Sequence, residues 1–518
     1  MKYDSVKSNG ITRRTRLSII FLIILSIVII PAGCSSDADG IEEDFLEKYE
    51  TPEENTERVP IMFYFPGQQP VAWDEVRTEI EKELADTVNV SLDFKWIEHQ
   101  SYVQKMNTLS ASSDSFDAFC VGKPQQYYPD FTKMAREGEL KDITQLLPDN
   151  APILMQKYTD EELDYAKVDG KLYAVPTLYQ HAYGTYILAD DALLRKYNIS
   201  DLSNLDQYDT FLRTVKENEP DSVPGIIGGI ADTLQLFAGV SGYVIVDESQ
   251  RLVYKLEDPD MKVIAWENTS EFREAANYVL NWFHKGYIVK NSKKMTSILL
   301  KDDLFPPDQK MTTRYFDPSI DFRVCQLCPD NPLQRENPMG SFYYNGSFVF
   351  PATSLNTDRT LQFLDWVQRS RSNYYLFMYG REGTDYVLEK NYPIYPEGMD
   401  YTNSTYMNWN GNWAFRNAEF LPVVRDEQGN EVESYSEFLN KSTKYPPHGS
   451  FYPDFKAIEI ASTKRFKAFL DFEYKLSDGE IVDSSQIDSL IKNLEGMGSA
   501  NLVELVQKQL DEAVEKRK

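Results

Sequence analysis

The sequence has few of the residues that build catalytic centres. Four histidines and four cysteines are spread over 518 residues, and no two histidines have the spacing of metal ligands, so the HExxH motif is absent. The GxSxG nucleophile motif is also absent, and no glycine-rich loop ends in Gly-Lys-Ser or Gly-Lys-Thr. Carboxylates are abundant, but 81 acidic residues do not single out a glycosidase pair. We therefore expect no catalytic residues, no metal and no cofactor.

Positive charge is scarce as well. The chain has 54 lysines and arginines against 81 acidic residues, a net charge of −27, and no basic patch. Five of the basic residues lie in the first 34 positions, so the remainder is more acidic still. Such a surface repels nucleic acid phosphates and anionic lipid headgroups. We exclude nucleic acid as a partner and interpret the charge as that of a soluble exported protein.

The cysteines do not form a disulfide framework. Cys120 lies in an apolar run and is interpreted as a small buried residue. Cys325 and Cys328 have the CxxC spacing of redox or zinc sites, but no second pair or histidine cluster accompanies them. Whether these two form a disulfide stays open.

Only one long apolar run is present, from Leu17 to Ile30. Basic residues precede it, Pro31-Ala-Gly-Cys34 follows it, and residues 35–57 are acidic. A basic start, a short apolar region and small residues at a cleavage site indicate a signal peptide. Fourteen mostly apolar positions are marginal for spanning a bilayer, and an uncleaved membrane anchor is the alternative. Residues 35–57 are predicted to be a flexible tether.

The rest of the chain is too long for a single core. Apolar strands at 59–65, 88–97 and 116–121 alternate with amphipathic helices at 76–84, 102–109 and 128–135. This order predicts a parallel sheet with helices on both faces. Ligands of such sheets gather where the strands end, here at Pro66-Gly67-Gln68, Glu98-His99-Gln100 and residues 122–125.

The alternation is interrupted near the middle of the chain. Asp169-Gly170 predicts a tight hairpin turn, and Pro176 ends the strand after it. The strand and helix pattern then restarts at 184–189. We interpret the break as a crossing between two α/β lobes. The tail from 451 to 518 is predicted to be mostly helical, with its last helix starting at Asn501.

Four segments share the pattern of one protein family. They are Ala-Gly-Cys34 before the acidic stretch, Gly138–Leu147 with Val168–Pro176, Tyr379–Tyr386, and Phe451–Leu510. The first resembles a lipobox, although Pro31 stands where Leu is usual. The second is similar to a "G-x-L-x-D-L-T … DGK-x-Y-A-x-P" segment, and the last two look like the C-terminal region DUF3502. On these segments the chain resembles the sugar-type family 1 of extracellular solute-binding lipoproteins of bacterial ABC importers.

The resemblance implies an α/β fold of the two-lobe periplasmic-binding-protein type (type II). Each lobe would be a mostly parallel sheet flanked by helices, with hinge segments near 176–180 and 345–351. The expected parts are a signal peptide (1–34), a tether (35–57), lobe 1 (58–177, with about 350–395 returning to it), lobe 2 (178–349) and a DUF3502-like helical region completing the lobes (396–518). Cys34 would be lipidated.

A neutral sugar presents hydroxyl groups and apolar C–H faces, so its site needs flat rings and short polar groups. Trp409 and Trp413 are notable because three asparagines and a glycine lie around them, although a packed aromatic loop explains that stretch equally well. Arg314 has a surface ion pair as its alternative, and Asp117 is expected to cap or pair within the fold. The expected ligand-binding residues are Gln68, Tyr128, Tyr179, Gln180, Tyr183, Arg314, Tyr344, Asn345, Trp409 and Trp413.

The resemblance implies a monomeric, non-catalytic binding protein on the extracytoplasmic face of the cell membrane, anchored by lipid, in a Gram-positive bacterium. It would bind a carbohydrate, in particular an oligosaccharide, between the lobes and deliver it to the permease subunits of an ABC importer. Two alternatives stay open, a surface-anchored carbohydrate-active enzyme and a binding protein for a peptide or other polar solute. The sequence names neither the sugar nor the permease.

Overall fold

A computed structural model of the chain describes most residues from 57 to 517. The described ranges are 57–110, 112, 115–121, 128–178, 183–228, 233–290, 292, 294–303, 310–311, 321–327, 347–389, 392–400, 402–407, 409, 412–420, 424–425, 431–433 and 446–517. The predicted signal peptide, Cys34 and nearly all of the tether lie outside them. Residues 51–518 group into one compact unit.

Nineteen strands are found in the described residues. They are β1 (Val59–Pro66), β2 (Val90–Ile97), β3 (Ala118–Val121), β4 (Lys167–Val168), β5 (Lys171–Leu172), β6 (Ala174–Val175), β7 (Tyr183–Asp190), β8 (Ile226–Ile227), β9 (Tyr243–Asp247), β10 (Leu252–Lys255), β11 (Ile264–Ala265), β12 (Ser297–Asp303), β13 (Lys310–Met311), β14 (Phe322–Gln326), β15 (Ser347–Val349), β16 (Val387–Glu389), β17 (Tyr392–Ile394), β18 (Val424–Arg425) and β19 (Glu431–Glu433).

The same residues contain fifteen α-helices and four short 3₁₀ helices. The α-helices are α1 (Trp73–Leu84), α2 (His99–Ser110), α3 (Phe131–Glu137), α4 (Leu146–Asn150), α5 (Pro152–Gln156), α6 (Asp160–Asp164), α7 (Asp191–Lys196), α8 (Leu205–Asn218), α9 (Thr233–Val240), α10 (Ser270–His284), α11 (Thr357–Arg369), α12 (Arg371–Tyr379), α13 (Glu459–Ser477), α14 (Ser484–Gly496) and α15 (Ser499–Arg517). The 3₁₀ helices are Trp266–Asn268, Asn412–Phe415, Ala418–Phe420 and Lys456–Ile458. None of the described helices is both long and apolar enough to cross a membrane.

The first sheet has the strand order β2-β1-β3-β15-β6. Strand β1 runs parallel to β2 and β3, as the alternation of strands and helices predicts. Strand β15 comes back from a distant part of the chain and is antiparallel to both β3 and β6. The core around this sheet combines residues from 61 to 175 with residues from 348 to 420. We call the part of the molecule built on this sheet lobe 1.

The second sheet has the order β13-β14-β7-β12-β8 and defines lobe 2. Its central strand β7 is antiparallel to both β12 and β14, and only β8 runs parallel to its neighbour β12. The expectation of a mostly parallel sheet is therefore wrong for this lobe. A strand buried on both faces shows the same apolar run whichever way it points, so the sequence pattern carries no information on direction.

Lobe 2 also contains a small antiparallel sheet of β9, β10 and β11. One face of it shares a core with α8, α10, α13 and α14. Its other face packs against α15 through Leu502, Val506 and Leu510. Helix α15 begins at Ser499, so the predicted start at Asn501 is two residues late.

The hairpin that interrupts the alternation is confirmed. Strands β4 and β5 pair around Asp169 and Gly170, whose φ angles of 51° and 82° need the left-handed region that glycine tolerates best. The Thr144 hydroxyl accepts a hydrogen bond from the Leu172 amide at 3.0 Å, and Lys171 lies 3.3 Å from Asp142. These contacts tie the two halves of the second family-like segment together, so that segment is structural.

Candidate functional site

One edge of the lobe 1 sheet brings together the strand ends that the sequence singles out. Because β1 and β2 are parallel and in register, Pro66 lies beside Ile97 at their carboxyl ends. Strand β3 runs the same way and ends at Val121, opposite Ser347 at the start of β15. Strand β6 also ends here, and the chain leaves it toward lobe 2. This edge is where a ligand of a two-lobe protein is expected.

Gln68 occupies this edge directly after β1. Its amide nitrogen donates to the carboxylate of Glu98 at 3.1 Å, and the Gly67 amide donates to the Ile97 carbonyl at 2.6 Å. Both side chains of the Gln68–Glu98 pair are exposed, so the amide oxygen and the carboxylate can accept hydrogen bonds from hydroxyl groups.

Tyr128 follows β3 at the same edge and is only partly buried. Its ring lies edge-on to that of Tyr102, with centroids 6.1 Å apart. The Tyr102 hydroxyl donates to the backbone of lobe 1 and accepts from the Cys120 amide at 3.0 Å. Burial raises the pKa of Tyr128 well above its ordinary value, so its phenol stays protonated at physiological pH.

Trp409 lies in the core of lobe 1 and is 4% exposed. The rings of Phe65, Trp96 and Phe377 meet it nearly at right angles, with centroids 5.5 to 6.4 Å away. In this arrangement the indole is packed and does not present an open face for stacking. Its Nε1 is buried, and no described residue accepts its hydrogen bond.

The other expected ligand residues are placed only in part. Tyr183 belongs to β7 and Trp413 to the 3₁₀ helix Asn412–Phe415, but their side chains lie outside the described set. Tyr179, Gln180, Arg314, Tyr344 and Asn345 lie outside it altogether. Their roles stay predictions.

Trp96 is a residue of this edge that sequence reasoning missed. It is the next-to-last residue of β2, is partly buried, and packs against Trp73 as well as Trp409. An aromatic side chain one position before a strand end at the ligand edge was the available signal. It packs against the buried Trp409 close in sequence to Glu98 of the exposed Gln68–Glu98 pair.

Asp117 has the structural role expected of it. Its carboxylate is 3% exposed and accepts hydrogen bonds from the Met62 amide at 2.9 Å and the Ser354 hydroxyl at 3.0 Å. It thereby joins β1 to the segment that precedes α11. Asp117 is a structural residue and not a ligand group.

Two cysteines lie in the described residues, and both are buried. Cys120 is fully buried, as expected, and burial raises the pKa of its thiol well above the ordinary value. Cys325 is buried in lobe 2, whereas Cys328 lies outside the described residues, so their pairing stays open. Within the described part of the chain, no group of three His, Cys, Asp or Glu side chains is placed to hold a metal ion.

Comparison with known proteins identifies this architecture. No family model matches the sequence. A carbohydrate ABC transporter substrate-binding protein from Streptococcus pneumoniae serotype 4 is 23% identical over 470 residues, which are 88% of this chain and 91% of that protein. The crystal structure of the N-glycan transport solute-binding protein NgtS from Streptococcus pneumoniae matches with a TM-score of 0.68 at 19% identity, covering 89% of this chain and all of NgtS.

The chain has the two-lobe solute-binding-protein fold. An extracellular solute-binding protein from Bifidobacterium longum subsp. infantis has it too, with a TM-score of 0.60 at 13% identity over 89% of this chain and 99% of the other. The resemblance read from the sequence is therefore confirmed for the solute-binding proteins, while the likeness to DUF3502 stays a prediction.

Proposed function

We propose that this protein is the extracytoplasmic substrate-binding component of an ABC importer and binds an oligosaccharide between its two lobes. The observation that supports this most is the match to a carbohydrate ABC transporter substrate-binding protein over nearly the whole of both chains. NgtS, which shares the fold, has also been crystallised in complex with Man1GlcNAc. The protein would hand its ligand to permease subunits without altering it and act as a monomer.

The lobe 1 edge offers chemistry that suits a neutral sugar. The Gln68 amide and the Glu98 carboxylate provide acceptors for hydroxyl groups, and Tyr128 adds a phenol that is protonated at every physiological pH. We propose that the chain crossing from β6 to β7 contributes Tyr179, Gln180 and Tyr183 to the same ligand site. Arg314, Tyr344, Asn345 and Trp413 would complete the ligand set, and Trp409 would join it only through its indole N–H.

Calorimetry of residues 51–518 against a panel of glycans tests the proposal. We expect one glycan class to bind and to be recovered unchanged by mass spectrometry after a long incubation. Hydrolysis or transfer of the glycan by the same sample would show an enzyme instead. Saturable binding of a peptide together with no response to any glycan would show a different solute.

The site assignment has its own test. Gln68→Ala removes one neutral hydrogen-bonding group and is expected to weaken glycan affinity by about two- to tenfold. Gln104→Ala is the matched control, because Gln104 is an exposed glutamine of α2 that is not among the expected ligand-binding residues. Equal affinities for the two variants would remove Gln68 from the site.

We also propose that Cys34 is lipidated and tethers the protein to the outer face of the membrane of a Gram-positive bacterium. The support is the signal-peptide pattern, with Cys34 directly after Ala-Gly and before the acidic tether. Cells that express the full chain and are labelled with a palmitate analogue should yield a labelled, membrane-bound protein. Cys34→Ser should be unlabelled, and labelling of that variant would contradict the assignment.

A further inference from the structure

The pair formed by Gln68 and Glu98 lies at the outer end of the ligand edge of lobe 1. In the strand order β2-β1-β3-β15-β6, the chain leaves for lobe 2 after β6, whereas Gln68 follows β1 and Glu98 follows β2. Neighbouring strands lie about 4.8 Å apart, so three to four spacings, or roughly 15–20 Å, separate the pair from that crossing. A pyranose ring is about as long as one spacing. An oligosaccharide held at the crossing reaches the pair, whereas a disaccharide held there does not.

The hydrogen bond within the pair decides what the pair offers to a ligand. The Gln68 amide nitrogen donates to one carboxylate oxygen of Glu98 at 3.1 Å, and both side chains are exposed. This bond uses a donor of Gln68 and leaves its amide oxygen and the other carboxylate oxygen as acceptors. The hydroxyl groups of an uncharged sugar can donate to these acceptors. A ligand carboxylate has no hydrogen to donate to them.

The charge of Glu98 is not neutralised by a neighbouring cation. Within the part of the chain that the structure describes, its side-chain partner is Gln68, and it forms no ion pair with a lysine or arginine. Lys95, the nearest lysine in sequence, lies 2.6 Å from Asp93 instead. The whole chain carries a net charge of −27, which adds to the repulsion of an anionic ligand.

Glu98 also places this negative charge where an anionic group would otherwise be attracted. It directly precedes α2, and its carbonyl accepts a hydrogen bond from the Ser101 amide at 2.9 Å. The amide groups at the start of a helix attract negative charge. Because the protein supplies that charge itself, a ligand carboxylate would meet a like charge at this point.

We infer that the Gln68–Glu98 pair is an outer subsite that accepts an uncharged sugar unit and excludes a unit that carries a carboxylate. The inference rests on the proposed function and narrows it to neutral oligosaccharides that extend from the lobe crossing to the end of β2. Glu98 determines the specificity, and Gln68 holds the Glu98 carboxylate in place.

The substitution Glu98→Gln tests the inference in residues 51–518, because it keeps the size of the side chain and removes its charge. Glu83→Gln is the matched control. Glu83 is exposed and adjoins Leu84, whose carbonyl accepts from the Asn89 amide just before β2 begins. It therefore lies near the opposite edge of the sheet from Glu98.

The probes are mannohexaose and hexamannuronate, whose units carry a primary hydroxyl in the first and a carboxylate in the second. If the glycan panel identifies another ligand, that glycan and its derivative oxidised at the primary hydroxyls are used in the same way. Calorimetry measures the affinities, and the urea midpoint of each variant confirms that it is folded.

We expect the wild type to bind the neutral glycan at least about tenfold more tightly than the acidic one. Glu98→Gln should weaken binding of the neutral glycan by about three- to tenfold and strengthen binding of the acidic glycan by about tenfold. Glu83→Gln should change neither affinity. Raising the salt concentration should reduce the discrimination of the wild type by more than that of Glu98→Gln, because salt screens exposed charges. The disaccharide of the neutral glycan should bind the wild type and Glu98→Gln equally.

Three results would overturn the inference while leaving the proposed function intact. They are a wild type that prefers the acidic glycan, a ratio of the two affinities that is the same in Glu98→Gln as in the wild type, and a disaccharide that loses as much affinity in Glu98→Gln as the longer glycan does. If neither the wild type nor Glu98→Gln binds any glycan of the panel, the proposed function fails and the inference fails with it.

Discussion

The ion pair between Arg251 and Glu473 lies in the core of lobe 2. Both side chains are fully buried, and the guanidinium of Arg251 contacts both carboxylate oxygens of Glu473. Its remaining nitrogen donates to the carbonyls of Glu248 and Ser249 at 2.5 and 3.2 Å. The ring of Phe469 lies 5.1 Å from the guanidinium carbon. Glu473→Ala would remove the carboxylate that neutralises the charge of this buried guanidinium.

Removing one partner of a buried pair typically lowers the free energy of unfolding by about 3–5 kcal/mol. We expect Glu473→Ala to fall in this range. The double variant Arg251→Met with Glu473→Leu should lose less than Glu473→Ala, because it leaves no unpaired charge and keeps the volume apolar. Asp471→Ala, on the exposed side of the same helix, removes the partner of Lys475 and should leave the stability unchanged.

Urea denaturation followed by tryptophan fluorescence measures these differences, since Trp266 and Trp282 are fully buried in lobe 2. The lobes can unfold separately, so hydrogen exchange should show that the loss is confined to lobe 2. A midpoint for Glu473→Ala equal to that of the wild type would refute the reasoning. So would a double variant that is less stable than Glu473→Ala.

Three further changes test local features. Gly170→Ala should lower the free energy of unfolding in urea by about 1–2 kcal/mol, because a φ of 82° is strained for a residue with a Cβ, although the surrounding space is open. Gly496→Ala is the control: Gly496 lacks that φ, so the substitution should not lower the free energy of unfolding. Burial opposes ionisation of Glu271, but hydrogen bonds from Lys255, Ser270 and its own backbone amide, together with the charge of Lys255, outweigh burial and lower the pKa of Glu271 to about 2. The stabilisation by Glu271 is therefore present above about pH 4.5 and is lost as the pH falls to about 2, so Glu271→Gln should flatten the change in urea midpoint over that window. Trp409→Phe keeps an aromatic ring but removes the indole N–H. If that N–H binds the ligand, calorimetry should show glycan affinity weakened by about three- to tenfold. Unchanged affinity would make Trp409 a core residue only.

Local signals predicted those parts of the fold that depend on neighbouring residues. The apolar positions Val76, Ile80 and Leu84 repeat at helical spacing, and all three are buried in α1. Asp169-Gly170 formed the expected turn because the turn needs only its own backbone conformation. Such features can be predicted because the residues that decide them are adjacent in the chain.

Local signals did not predict the features that depend on distant residues. Arg251 and Glu473 are 222 positions apart, and in sequence each is one charge among many. The direction of β12 beside β7 is set by the path of more than a hundred intervening residues. In the candidate site, the strand ends pointed to Gln68 and Tyr128, whose roles as ligand residues stay predictions. An exposed Trp and a buried Trp such as Trp409 have the same local sequence signal.

The buried Arg251–Glu473 pair and residues 446–458 are joined through one short hairpin. Arg251 directly precedes β10, whose Tyr254 contacts His448. Loss of Glu473 should therefore loosen not only α13 but also the contacts of residues 446–458 with lobe 2. Hydrogen exchange of residues 446–458 is expected to speed up in Glu473→Ala and to stay unchanged in Asp471→Ala. Unchanged exchange in both variants would mean that this segment is held by Phe451 and the Asp454–Gln509 contacts alone, independently of the buried charges.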